Sequence, residues 1–123
     1  MKKRFRLTKN HDIKTVVDLR QSLGNKYYIV YRKLTTDETL KVAISVSKKY
    51  GTAVERNYAK RCVREIIRPE IENLSNVNLV VVVKNLSKDL RFEEKKELLL
   101  KLLKNAKSPV LTKPIYKKIQ EEK

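Results

Sequence analysis

The run Asn78-Leu79-Val80-Val81-Val82-Val83 constrains this chain more than any other segment. Its apolar residues do not alternate with polar ones. Successive side chains of a strand point to opposite sides, so an unbroken Leu-Val-Val-Val-Val run marks a strand buried on both faces. The fold must supply apolar cover above and below it. Asn10 precedes Ile13, Val16 and Val17, which fall on one helical face, so a short helix capped by Asn10 is expected. Gly24-Asn25 ends that unit. Tyr27-Tyr28-Ile29-Val30-Tyr31 is rich in β-formers and reads as a strand. Beyond the polar turn Thr35–Glu38, Leu40, Val42, Ile44 and Val46 alternate with Lys41, Ala43 and Ser45, the pattern of a strand with one buried face. These two strands are expected to pair as an antiparallel hairpin. A polar connection, Ser47–Thr52, leads to a helix from Ala53 to Arg68, stopped by Pro69. A last helix, Glu93–Ala106, turns Leu99, Leu102, Leu103 and Ala106 inward. The expected order is α-β-β-α-β-α: an α+β fold, a small α/β sandwich with helices on a sheet. Residues 1–9 read as a basic arm and 107–123, with Pro109 and Pro114, as a loose basic tail on a single domain spanning 1–123.

Charge narrows the function. The 123 residues hold 30 Lys and Arg against 14 Asp and Glu, a net charge of +16. Such an excess destabilises a compact chain by self-repulsion and points to a polyanionic partner, nucleic acid first and an anionic membrane second. Hydrophobic residues make up 41% and come in periodic runs, which excludes a disordered polycation. The excess is concentrated in residues 1–68, with 18 basic against 6 acidic residues, so the functional chemistry is expected there. Phe5-Arg6-Leu7-Thr8-Lys9 is no hydrophobic signal region, and no apolar run reaches transmembrane length. One cysteine forms no internal disulfide, which suits a reducing cytoplasm.

The helix Ala53–Arg68 carries the clearest signal. On a helical wheel Ala59, Cys62, Val63, Ile66 and Ile67 form one apolar stripe. Asn57, Lys60, Arg61, Arg64 and Arg68 gather on the opposite face, with Arg56 at the border. The planar fork of arginine grips phosphate oxygens in pairs, whereas lysine acts as a point charge. A merely solvated face usually mixes Glu with Lys at helical spacing; this ridge has no acidic member.

The stretch Ala43-Ile44-Ser45-Val46-Ser47-Lys48-Lys49-Tyr50-Gly51-Thr52-Ala53-Val54-Glu55-Arg56-Asn57, continuing to Lys60-Arg61 and Arg64-Glu65, closely resembles the signature of the bacterial ribonuclease P protein family. The likeness extends to the N-terminal Arg-Leu-Thr-Lys-Asn-His-Asp stretch and to the Tyr-rich and Val-rich strands. It implies a sandwich similar to a domain of ribosomal proteins and translation factors, with a left-handed parallel crossover against the general rule. It implies a large catalytic RNA as partner, precursor tRNA as substrate, hydrolysis of one phosphodiester to release the 5′ leader, and Mg2+ held mainly by the RNA. By the same resemblance Lys48, Lys49, Arg56, Asn57, Lys60, Arg61, Arg64 and Arg68 meet the catalytic RNA. A cleft between the first helix and the sheet, with Ile13, Val17, Tyr27, Ile29, Tyr31 and Ser45, receives the leader. The residues suit that division. Tyr27, Ile29 and Tyr31 share one strand face, and aromatic rings beside cations serve single-stranded RNA. Plain packing is the alternative for both tyrosines; the balance favours the cleft for Tyr31 and packing for Tyr27. The sequence departs from the family pattern at Thr52, usually Asn, and at Tyr58, usually basic. Ile13 and Val17 stand where relatives often have Phe.

Nuclease chemistry by the protein itself calls for paired histidines or clustered carboxylates. His11 is the sole histidine and reads as a surface residue; Asp12 is better placed to complement a helix N-terminus than to hold metal. Cys62 lies in the apolar stripe and reads as core. The chain is therefore expected to be a positioning, charge-screening subunit rather than a catalyst. Two other classes compete: a structural ribosomal or RNA-chaperone protein, and a peripheral membrane polycation. The latter needs exposed bulky apolar residues opposite the basic ridge.

Overall fold

The computed structural model describes residues 5–35, 40–74 and 76–106. Residues 36–38 of the Thr35–Glu38 turn, residues 1–4 of the basic arm and the tail 107–123 lie outside the described residues. The elements are helix α1 (Asn10–Asp18), strands β1 (Ser22–Gly24), β2 (Tyr28–Leu34) and β3 (Lys41–Val46), helix α2 (Ala53–Ile67), strand β4 (Val77–Val83) and helix α3 (Phe92–Ala106). The fold is α+β, as the sequence pattern requires, with one more strand than expected. α1 begins at Asn10 itself, because the Lys9 carbonyl accepts the first helical bond, from Ile13 N–H at 3.0 Å. Lys9 thus occupies the cap position, and Asn10 is not the cap.

The sheet has the order β1-β2-β4-β3. The expected hairpin between the second and third strands does not form. β4 lies between them, antiparallel to β2 and parallel to β3. Leu34 pairs with Val77 and Lys41 with Asn78, so β2 ends and β3 begins at the same end of β4. The physical reason lies in the apolar run. An edge position would leave one ladder of the most hydrophobic strand unpaired, whereas the centre pairs both. The six-residue link from Thr35 to Leu40 reaches at most about 20 Å, enough to cross two strand spacings of about 4.8 Å each.

The unexpected strand is β1, which pairs antiparallel with β2 through Ser22–Tyr31, Leu23–Val30 and Gly24–Ile29. Gly24-Asn25 does not end a helical unit: Gly24 is the last residue of β1 and Asn25 opens the turn of this hairpin. The Asn25 side-chain oxygen accepts from the N–H groups of Tyr27 and Tyr28, both at 2.8 Å. That local bonding, typical of Asn in turns, holds Tyr27 in the turn before β2 begins.

Alternation along β4 sorts the core. Val77, Leu79, Val81 and Val83 join Tyr28, Val30 and Val42 beneath α2 and α3, which contribute Ala59, Val63, Ile66, Ile67, Leu99, Leu102, Leu103 and Ala106. Val80 faces the other way, into a small cluster with Leu7 and Val16, flanked by Ile13, Val17, Tyr31, Ala43 and Val82. The two faces are thus unequally covered: two fifteen-residue helices on one, the nine-residue α1 on the other.

Arg32 locks the deep side. It is 1% exposed, and its Nη1 donates to the Ala106 carbonyl at 3.0 Å. That carbonyl belongs to the last turn of α3, where unpaired backbone oxygens carry partial negative charge. Burial lowers the Arg32 pKa, but guanidinium remains protonated. Arg32→Ala is expected to lower unfolding free energy by about 2–4 kcal/mol, through the lost stem and the lost charge-assisted bond. Arg32→Met should cost less than half as much. Urea unfolding of both variants checks this, and a cost below about 0.5 kcal/mol for Arg32→Ala excludes the locking role.

Candidate RNA-binding surfaces

α2 starts on a complete capping box. Thr52 Oγ1 accepts from Glu55 N–H at 3.2 Å, and Glu55 Oε1 accepts from Thr52 N–H at 3.0 Å. Thr serves this position much as Asn does, so the departure at Thr52 leaves the helix start intact. Glu55 also meets Lys88 at 2.7 Å, tying α2 to the turn after β4. A Cβ at Gly51 would sit 2.6 Å from Glu55 Oε1, so glycine there permits the close approach.

With its start fixed and its stripe Ala59, Cys62, Val63, Ile66 and Ile67 buried, α2 has one possible outward face. Asn57, Arg61 and Arg68 are exposed on it; Arg56, Lys60 and Arg64 are half-buried along its flank. Contrary to the expectation of a ridge with no acidic member, exposed Glu65, one turn from Arg68, pairs with it at 3.1 Å, so the charge of Arg68 is locally met. Among the described residues Arg56, Lys60, Arg61 and Arg64 form no ion pair. Arg56 Nε is buried without a hydrogen-bond partner. Lys48 and Lys49 are exposed on the short turn between β3 and α2.

Arg6 joins this surface, and sequence reasoning had not singled it out. The arm runs beside β3, with an Arg6–Val42 bridge and Leu7 N–H donating to the Val42 carbonyl at 2.8 Å. That puts the Arg6 charge within electrostatic reach of Arg64, whose pKa lies below its ordinary value, first through burial and then through the Arg6 charge. The one available signal was the charge of the arm; its landing place depends on the free edge of β3.

The second surface lies under α1. Two rows cross the sheet there. Tyr31, Val80 and Ala43 are in register, and so are Ile29, Val82 and Ser45. Ile13 and Val17 of α1 pack over the first row, with Tyr31 half-buried at its margin. The second row opens into a cavity of about 690 Å³ lined by Lys26, Ser45, Ser47, Val82, Asn85 and Leu86. Tyr27 is not part of this surface: it packs against the large core cluster on the opposite side of the sheet. The residues the sequence left out are Ala43, Val80 and Val82. As members of apolar strands they carry no functional signal until register places them beside Tyr31.

His11 is exposed and Asp12 lies in the first turn of α1, where a carboxylate complements the helix dipole. Cys62 is 4% exposed in the inward stripe of α2. No helix among the described residues is long and apolar enough to cross a membrane. The apolar stripe of α2 is consumed by the sheet, which leaves no apolar face opposite the ridge.

A cationic helix set beside an apolar, aromatic-edged cleft on a small α+β sandwich defines an RNA-binding protein. The family model for ribonuclease P matches residues 1–107. The chain belongs to the ribonuclease P protein family. It is 38% identical over 105 residues to the ribonuclease P protein component of Bacillus velezensis, covering 85% of this chain and 90% of that protein. A second relative, from an Exiguobacterium species, is 38% identical over 108 residues, covering 87% and 94%. The structure of the Staphylococcus aureus RNase P protein superposes with a TM-score of 0.78 at 28% identity, covering 88% of this chain and 98% of that one. The Thermotoga maritima protein gives 0.74 at 29% identity, covering 81% and 96%. The chain is accordingly the protein subunit of a ribonuclease P, the endoribonuclease of tRNA 5′ processing.

Glu55 offers a pH test of how α2 is held. The Lys88 ammonium, then the Thr52 cap, hold its carboxyl down to about 2, against an ordinary 4.5. A depressed folded-state pKa contributes stability above the unfolded value and loses it as pH falls through the folded one. Glu55→Gln should therefore be less stable than the parent above pH 4.5, and the gap should close as pH approaches 2. Thermal unfolding at stepped pH checks it; a gap independent of pH excludes the carboxylate as the source.

Proposed function

We propose that the outward face of α2 docks the chain on the catalytic RNA of ribonuclease P, while the cleft under α1 takes the 5′ leader of precursor tRNA. The observation that carries this reading is the run of cations Arg56, Lys60, Arg61 and Arg64, without an ion pair among the described residues, reinforced by Arg6 and edged by the Tyr31 cleft. Arg6 and Arg64 repel one another, and a phosphate between them turns that repulsion into attraction. The arginine forks fix the orientation of RNA strands, and Lys48 and Lys49 extend the field towards the cleft. In the cleft the Tyr31 ring offers a stacking face, with Ile13, Val17 and Val82 as apolar walls, Ile29 in register with Val82, and Ser45 as a hydrogen-bonding group. Ile13 and Val17 supply contact without aromatic stacking.

In this reading the protein binds, orients and screens charge, and the chemistry belongs to the RNA. Among the described residues no three His, Cys, Asp or Glu side chains come together. Mg2+ is assigned to the RNA partner, and no step runs through a protein-held metal. The setting is the bacterial cytoplasm, where both RNAs occur.

Reconstitution with a bacterial catalytic RNA tests both surfaces. Arg61→Ala with Arg64→Ala should weaken RNA affinity with the fold intact, since neither side chain enters the apolar stripe. Each lost phosphate contact should reduce the slope of log affinity against log salt by roughly 0.7. An unchanged slope means that these arginines do not meet phosphates. Tyr31→Ala should weaken holoenzyme binding of precursor tRNA by about 1–3 kcal/mol and leave mature tRNA nearly unaffected. Equal losses with both tRNAs, or none, make Tyr31 a packing residue and remove the leader from the cleft.

A further inference from the structure

On the far flank of α2, away from Arg6 and the cleft, a groove of about 410 Å³ separates α2 from the start of α3. That volume suits a single small ligand group rather than a long segment. Its walls are Tyr50, Val54, Glu55, Tyr58, Lys88, Asp89 and Lys95, and nothing in the cationic face or the leader cleft accounts for it.

Two of its residues are out of place for a plain surface. Tyr58 is 54% exposed on the outward side of α2, and Val54, one turn earlier on the same face, is 77% exposed. Together they present a continuous apolar shelf to solvent. Lys95 is only 4% exposed. It lies in the first turn of α3, where the helix dipole disfavours a cation, and no carboxylate among the described residues pairs with it. Glu94, its neighbour, is engaged by Arg91 at 3.4 Å. The Lys95 ammonium rests 5.3 Å from the centroid of the Tyr58 ring. A cation–π contact accounts for part of its accommodation, yet leaves the charge unneutralised. Lys88, by contrast, is matched: Glu55 holds it at 2.7 Å, and the Asp89 charge adds to the stabilisation of its ammonium. The groove therefore keeps one unmatched cation behind one open aromatic face.

An aromatic face for a base and a cation for its phosphate are the two elements that bind an unpaired nucleotide. Position selects RNA over a protein segment. Tyr58 follows Asn57 directly and precedes Arg61 by three residues, so the shelf continues the cationic face without a break. We propose that the α2–α3 groove binds one unpaired nucleotide of the catalytic RNA, its base stacked on Tyr58 and its phosphate facing Lys95. The proposal rests on the docking of α2 to that RNA and extends the contact surface round the helix to α3.

The test is the affinity of the full chain for a bacterial ribonuclease P RNA, measured over a salt series without tRNA. Tyr58→Ala should weaken binding roughly 5- to 100-fold with an unchanged salt slope, because a stacking face is lost and no phosphate contact. Tyr58→Phe should bind like the parent, since the ring remains. Lys95→Met, which keeps the buried stem, should lower the slope by roughly 0.7. Thermal unfolding of each variant accompanies the binding. Should Tyr58→Ala unfold, Tyr58→Leu retains the apolar bulk without the aromatic face and should show the same loss. Parental affinity in Tyr58→Ala or Tyr58→Leu overturns the proposal and leaves the groove to a protein segment or to no ligand. A loss in Tyr58→Phe equal to that in Tyr58→Ala overturns the stacking, and an unchanged slope in Lys95→Met overturns the phosphate contact. If the parent chain itself fails to bind the RNA, the functional reading falls first and this inference with it.

Discussion

Everything in this fold follows from β4 being apolar on both faces. A strand that must be covered above and below, and paired on both edges, takes the centre of the sheet. β2 and β3 are then driven apart to flank it, and the chain is committed to a layer on each side. The layers differ in depth. On one side α2 and α3 bury Val77, Leu79, Val81 and Val83 completely or nearly so. On the other, α1 covers Val80 but leaves Val82 and the Ile29–Ser45 row partly open. The cleft is the uncovered remainder of a two-faced strand.

The same asymmetry supports the charge. A helix carrying unpaired arginines gains nothing from their mutual repulsion and must be held by its other face. The α2 stripe is buried among the sheet strands and α3, while Thr52, Glu55 and Lys88 fix its first turn. Arg32 closes the far end of α3 from beneath. These contacts hold the helix although Arg56, Lys60, Arg61 and Arg64 have no carboxylate partner among the described residues. A looser helix would relieve the repulsion by bending or fraying, and the spacing of the cations would be lost.

Much of this is legible in the sequence. The helical spacing of Ala59, Cys62, Val63, Ile66 and Ile67 separated the buried side of α2 from its cationic side, because a helix has a fixed period. The long motif around Ser45–Arg64 pointed to the family. Strand pairing was less visible. Chain neighbours suggested a β2–β3 hairpin, and local pattern carries no term for a distant strand that needs both edges. The three-residue β1 was too short to show a period, and Gly24-Asn25 looked like a terminus because a helix end and a hairpin turn use the same residues. Tyr27 was grouped with Ile29 and Tyr31 by simple alternation, which fails where the Asn25 side chain holds the backbone in a turn.

The sequence by itself determined which faces of the helices and strands are apolar, which helix is charged and what kind of partner its charge requires. These are properties of period, composition and net charge, and they survive any arrangement of the elements. The tertiary structure alone decided that the charge of Arg6 reaches Arg64, that Ala43, Val80 and Val82 line the cleft beside Tyr31, and that Lys95 lies under Tyr58. Each of these pairings joins residues far apart in the chain. Their meeting depends on the sheet order β1-β2-β4-β3 and on helices packed against it, which no local pattern encodes.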